Sequence, residues 1–231
     1  MAGETIKTKG IVLDIRPWSQ TSHVTTWLTP DHGPVTTLVK GAVRPKSAFL
    51  GQYDLFYTCE LIYYAHASGE LHAIREVSPV NMREGLRGDF RATALASYVA
   101  HLVQEHCPRG GEAEDWFAFL ERTLDGAAEG GVSVRDMLAA EVGFLSLAGL
   151  SPDFSGADLG AATVPFAIDR GRVGQGTRMV QIPSGAVRIM SGSEGEYADV
   201  AAAVRFLGVF LRYHLDMPPE IRRGTLQLIH T

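Results

Sequence analysis

Ile6-Lys-Thr-Lys-Gly-Ile-Val-Leu-Asp-Ile15, Val24-Thr-Thr-Trp-Leu28, Val35-Thr-Thr-Leu-Val39, Phe56-Tyr-Thr-Cys-Glu-Leu-Ile-Tyr-Tyr64 and Leu71-His-Ala-Ile-Arg-Glu-Val77 decide the fold of this chain. The five runs are rich in β-branched and aromatic residues, which pack well on a pleated, half-buried surface. Turn signals such as Pro30-Asp-His-Gly33-Pro34 and Ser68-Gly69 part them. Five strands within residues 1–80 suit a small closed barrel, because closure removes exposed edges. The OB-fold is the barrel of this size that commonly binds oligonucleotides. A flat open sheet is the structural rival.

After residue 80 the apolar period changes from two to that of a helix. Asn81 with Glu84 resembles a capping box, and Leu95, Val99, Leu102 and Val103 form a helical stripe that Pro108 stops. Asp115 is placed to cap a second helix carrying Trp116, Leu120 and Leu124. Ser133 with Asp136 opens a third, and Val200, Val204, Leu207, Leu211 and Leu215 form a fourth that ends at Pro218-Pro219. Asp153 to Gly195 is glycine-rich, with short extended pieces such as Arg178-Met-Val-Gln-Ile182, and reads as an irregular insertion. The expected architecture is α+β: a barrel domain over 1–80, then an all-helical domain over 81–231, interrupted at about 153–195.

Composition narrows the function. The chain has 231 residues, 45% of them hydrophobic and 20% charged, which is ordinary globular usage. No apolar run approaches the roughly 18 residues of a membrane span, and the first residues lack a signal-peptide core; a cytoplasmic protein is expected. Cys59 and Cys107 are too few for a disulfide framework and read as buried thiols. The net charge of −5 argues against a chain that coats nucleic acid with its whole surface. It leaves room for one basic face. Residues 1–50 hold six Lys or Arg against three acids, and residues 83–150 hold six Arg against eleven acids.

No catalytic constellation stands out. There is no Gly-Lys-Ser/Thr loop for phosphates, no Gly-x-Ser-x-Gly elbow, and Gly171-Arg-Val-Gly-Gln-Gly176 has the wrong spacing for a dinucleotide. His101 and Glu105 stand one helical turn apart, but their spacing matches no zinc motif. No cofactor, no metal and no enzyme activity are expected. Lys40-Gly-Ala-Val-Arg44-Pro-Lys46-Ser47 differs in kind, since it offers cations, a hydroxyl and an approachable backbone to phosphate oxygens. Lys7, Lys9 and Arg16 are expected to extend this patch. Trp18 offers either a face for base stacking or a core side chain. Arg83, Arg87 and Arg91, at four-residue spacing, are candidates for gripping the acidic tail of a protein partner.

Several of these segments together resemble the RecO family of bacterial recombination mediators. Gly10-Ile-Val-Leu13 is similar to the family's first strand, Leu28-Thr-Pro-Asp-His-Gly33 to its Leu-Thr-x-x-His-Gly turn, and Lys40 to Ser47 to its Lys-Gly-Ala-Arg-Arg-x-x-Ser segment. Gln52 to Phe56 resembles the Leu-Gln-Pro-Phe that follows. The resemblance implies a DNA repair protein with an OB-fold that binds single- and double-stranded DNA and anneals strands. It further implies work with RecR and single-stranded-DNA-binding protein to load the recombinase RecA, and a place at the nucleoid. Many members carry a four-cysteine zinc module near the position of Ser151 to Gly176; this chain has no cysteine there. A metal-free version held by packing is expected, with Phe166 to Gly171 as the remnant of a strand and turn. Ile221 to Thr225 resembles the family's basic tail only loosely. A protein-interaction adaptor and an RNA-binding OB-fold protein remain alternatives.

Overall fold

The computed structural model describes residues 4–66 and 71–230, so the Ser68-Gly69 turn signal lies outside the described residues. Contacts divide the chain into two units, Met1–Gly130 and Gly131–Thr231.

In the first unit the five runs form β1 (Thr5–Pro17), β2 (His23–Thr29), β3 (Gly33–Val39), β4 (Thr58–Tyr64) and β5 (His72–Asn81). They close into a barrel in the order β1-β2-β3-β5-β4, with β4 pairing back to β1. Thr5 lies opposite Tyr64, Tyr64 opposite Ala73, Ala73 opposite Leu38, Leu38 opposite Val24, and Val24 opposite Arg16. One circuit of the ladder thus returns to β1 near its far end, the stagger that closing a small tilted barrel requires. The flat-sheet rival is excluded. Val12, Trp27, Val39, Cys59, Leu61 and Tyr63 fill the interior, where the Trp27 Nε1–H donates to Thr37 Oγ1 at 2.9 Å and so is not left unpaired. A side chain at Gly10 would place its Cβ 2.5 Å from Leu61 Cδ1 and 3.2 Å from Trp27 Cβ, so anything larger than glycine there forces the buried Leu61 side chain to move.

The barrel unit continues into α1 (Gly85–Gly88), α2 (Phe90–His106) and α3 (Glu114–Ala128). The change from strand to helix comes near residue 81, whereas the division between compact units comes after residue 130. The β2–β3 turn docks on the α2–α3 loop: the Ala113 N–H donates to Pro30 O at 2.6 Å, and the Gly110 N–H to His32 O at 3.3 Å. Gly33 (φ +64°) makes that approach possible, since a Cβ would lie 2.4 Å from Pro108 O. Two expected caps are corrected. Asn81 ends β5 and accepts from the Arg83 N–H, while Asp89 caps α2 by accepting from Arg91 N at 2.8 Å. Asp115 sits in the first turn of α3, behind Ala113 at the N-cap position.

In the second unit, Ser133 and Asp136 form the expected capping box of α4 (Val134–Leu147). The segment 153–195 is ordered rather than irregular. It holds β6 (Thr163–Ala167), β7 (Arg172–Val173), β8 (Met179–Pro183) and α5 (Ser184–Met190), with the strands in the order β7-β6-β8. The region from 81 onward is therefore not all-helical. The sheet packs through Phe166, whose ring centroid lies 5.1 Å from that of Phe206 on α6 (Tyr197–Leu215) and 5.4 Å from that of Phe154. A final helix, α7 (Pro219–His230), follows the proline pair. Arg222 on α7 reaches the fully buried Glu141 of α4 with two parallel bonds of 2.6 and 2.8 Å, and also bonds Val204 O at 2.9 Å.

Candidate nucleic-acid interface

The β3–β4 connection carries the basic loop, and its local structure explains why the cations face outward. Gly41 (φ +70°) turns the chain, the Arg44 N–H donates to Gly41 O at 3.1 Å, and the Ser47 N–H donates to Arg44 O at 2.9 Å. Ala42 is buried and Phe49 packs against the barrel core, which pins the loop from below. Lys40, Arg44 and Lys46 are exposed, and Ser47 is half-buried with its Oγ accepting from the Phe49 N–H.

Two further bonds tie this loop to the β1–β2 turn. The Gly41 N–H donates to Ser22 Oγ at 3.2 Å, and the Val43 N–H donates to Thr21 O at 3.3 Å. That turn carries Trp18, which is 63% exposed, so of its two open readings the surface one holds. Arg16, just before the turn, is exposed and pairs with Asp14 at 2.5 Å. Arg16, Trp18, Lys40, Arg44 and Lys46 therefore share one end of the barrel. A cleft of about 390 Å³ opens beside them, lined among others by His23, Val43, Phe49 and Tyr53. His23 Nδ1 lies 2.8 Å from the Tyr53 hydroxyl, whose pKa burial pushes above the usual tyrosine range. The sequence reading passed over His23 and Tyr53; only their aromatic character beside a basic loop could have flagged them.

Lys7 and Lys9 do not join the patch. Both are exposed, but they lie on the first half of β1, with Lys9 opposite the exposed Glu60 and with neighbouring Thr8 bonded to Asp31 at 2.7 Å. At about 3.3 Å per residue, the seven residues from Lys9 to Arg16 span roughly 20 Å of strand. The three arginines expected to form one partner-binding stripe are also separated. Arg83 precedes the helices with φ +46° and is 5% exposed; its guanidinium donates to Phe56 O at 2.7 Å, Thr58 Oγ1 at 2.9 Å and Asp125 at 2.6 Å. It joins barrel to α3. Arg87 is exposed on α1, held by Asp54 at 2.7 Å and the Tyr57 hydroxyl at 2.6 Å, and Arg91 is exposed on α2. A break at Asp89 lies between the last two, so four-residue spacing creates no common face.

The cysteines are buried, and burial pushes the Cys59 thiol up to about 12 and the Cys107 thiol up to about 11. Residues 151–176 hold no cysteine, and among the described residues no group of three or more His, Cys, Asp or Glu is placed to hold a metal ion. The phenylalanine-packed β6–β7 turn does not fit a zinc module. Among the described residues no helix is long and apolar enough to cross a membrane.

The family model described as "Recombination protein O N terminal" matches residues 1–83, and "Recombination protein O C terminal" matches residues 87–223. Among similar proteins are those called "DNA repair protein RecO" from Anaeromyxobacter sp. (strain K), 28% identical over 73% of this chain and 68% of that protein, and from Alkaliphilus metalliredigens, 28% identical over 64% and 59%. A third, of the same name, from Cupriavidus pinatubonensis, is 33% identical over 58% of this chain and 47% of that protein. The match thus spans about half to two thirds of the relatives' length. A five-stranded β unit leading into helices, matched in this way, defines a protein of DNA repair and recombination. The chain belongs to the RecO family.

Proposed function

We propose that this chain is a DNA-binding recombination mediator whose barrel is an OB-fold gripping the DNA backbone at its loop end. The observation that carries the reading is the joining of two loops at one barrel end, which sets Lys40, Arg44, Lys46 and Arg16 beside the exposed ring of Trp18. Cations there meet phosphate oxygens without reading sequence, and an aromatic face stacks any base. The strand order β1-β2-β3-β5-β4 supports the OB-fold assignment.

In this reading the chain binds single- and double-stranded DNA, holds complementary strands together long enough to anneal, and leaves the DNA chemically unchanged. RecR, single-stranded-DNA-binding protein and, through them, RecA are its working partners, and its place is at the nucleoid. A gel assay of strand annealing, run with and without single-stranded-DNA-binding protein, tests this directly. The chain should accelerate annealing in both settings, and the Lys40→Ala/Arg44→Ala/Lys46→Ala variant should lose most of that activity while keeping its melting temperature. Unchanged annealing by the triple variant would overturn the assignment of the site.

A further inference from the structure

Given DNA contact at the loop end, we propose that the cleft beside the basic loop receives one unstacked nucleobase, so that this end of the barrel prefers single strands to duplex. The loop itself builds part of the cleft. Ala42 and Val43 lie in the chain between Gly41 and Arg44, and Phe49 and Leu50 follow soon after Ser47; all four line the space of about 390 Å³. A strand whose phosphates meet Arg44 and Lys46 therefore carries its bases past the opening.

The lining selects a neutral, planar group. Val43 is 46% exposed, Leu50 53% and Leu55 44%, three large apolar side chains around one opening. An exposed apolar patch rimmed by polar residues marks a binding site. No lysine or arginine lines the cleft, and both carboxylate oxygens of Asp54 are engaged, one by Arg87 at 2.7 Å and the other by the Leu55 N–H at 2.9 Å. Cations on the loop and an uncharged apolar space beside them match an anionic backbone that carries neutral rings.

The wall formed by Tyr53 is fixed and adds a polar edge. Its ring lies 5.8 Å from that of Trp27 and meets His23 edge-on at 6.1 Å, with His23 Nδ1 2.8 Å from the Tyr53 hydroxyl. Whichever partner donates in that bond, the neutral pair keeps one donor and one acceptor. A Tyr53 O–H donating to Nδ1 leaves the Nε2–H as donor and the phenol oxygen as acceptor, and the other tautomer exchanges these roles. The Watson–Crick edge of every base presents both kinds of group, so such a pair tolerates any sequence. In a duplex those edges are already paired and the faces stacked, and a base enters only at the cost of being extruded.

The probe is a short labelled thymidine oligonucleotide, compared on the full chain with an abasic strand of the same length, so that the phosphates are equal and only the rings differ. The abasic strand should bind about tenfold more weakly. Trp18 also offers a stacking face, so the comparison is repeated with Trp18→Ala, where a gap should persist. Val43→Ser with Leu50→Ser, both at exposed positions, strips the apolar rim and spares the cations; it should shrink the gap to about twofold and remove the preference for single strands, with abasic binding and melting temperature unchanged. A strand bearing iodouracil should crosslink on irradiation to His23, Phe49 or Tyr53. Equal binding of the two strands, a gap that vanishes in Trp18→Ala or survives Val43→Ser with Leu50→Ser, or crosslinks confined to Trp18 would each overturn the pocket. So would a dimer at high protein concentration that the same two substitutions dissolve, because the cleft would then belong to a second copy of the chain. The abasic strand retains every phosphate, so its binding through Lys40, Arg44 and Lys46 leaves the loop-end site standing when the pocket alone fails.

Discussion

Arg83 shows how the same residue reads differently by spacing and by environment. Its four-residue distance from Arg87 and Arg91 suggests a surface stripe, yet its backbone adopts a positive φ outside any helix and its guanidinium is used within the fold. Sequence periodicity carries no information about such a break, because it assumes the helix it is meant to detect. Arg83→Met should therefore cost about 3 kcal/mol, by leaving Phe56 O and Thr58 unpaired in the interior and Asp125 without its partner. Arg91→Ala, on the surface, should stay within about 0.5 kcal/mol; urea unfolding measures both. Trp18 was undecidable for a related reason, since a loop tryptophan has no period to place it. Trp18→Ala should leave stability unchanged and weaken single-strand binding by about 1–3 kcal/mol if its ring stacks a base. The thiol of Cys59 was legible as buried, and burial fixes a pH dependence. Its folded pKa is raised from 9.0 to about 12, so its contribution to stability is fully present below pH 9. Above that, the unfolded state loses a proton that the folded state keeps, and stability falls with a slope of about 1.4 kcal/mol per pH unit for this one group. Urea midpoints between pH 8 and 10 should decline, and Cys59→Ala should make that decline shallower.

At the scale of elements, long strongly patterned segments were readable and short ones were not. The barrel strands alternate, α2 and α3 carry full apolar stripes, and Ser133 with Asp136 announces α4. β7 is two residues long and offers no period; extended pieces are legible at Arg178–Ile182, which overlaps β8, and from Phe166 at the end of β6, but Pro165 and Pro183 hide that they pair as one sheet. The proline pair misled in one direction only. α6 stops at Asp216, which is left-handed at φ +49°, and Pro219 then occupies the first position of α7, where its missing N–H has no helical partner to lose. α7 is locked by the Arg222–Glu141 pair, of which the sequence shows only two distant charges. Removing one member of a buried pair strands the other: Glu141→Leu should cost about 3–5 kcal/mol, and Glu141→Leu with Arg222→Leu should recover most of that loss. A double-mutant cycle by denaturant unfolding checks the coupling, and additive losses would show that the pair is not the lock.

For the molecule as a whole, the sequence shows a chain basic at its start and acidic after residue 83, and the structure shows that composition overstated the basic surface. Six cations lie in the first fifty residues, but Lys7 and Lys9 sit among Glu60 and Asp31 on the far part of β1. Only Arg16, Lys40, Arg44 and Lys46 are gathered at the loop end, and Arg16 is shared with Asp14. That arrangement sets a quantitative expectation for DNA binding, because each neutralised phosphate releases condensed counterions. With three to four contacts at about 0.7 each, single-strand affinity should fall as salt to roughly the −2 to −3 power. Replacing Lys40, Arg44 or Lys46 singly with Ala should lower the magnitude of that exponent by about 0.7 and weaken all sequences alike. Lys7→Ala and Lys9→Ala should leave the exponent where it is. Were the two groups of variants to change the slope equally, phosphate contact would have to run along the whole of β1, and the loop end would lose its claim to be the site.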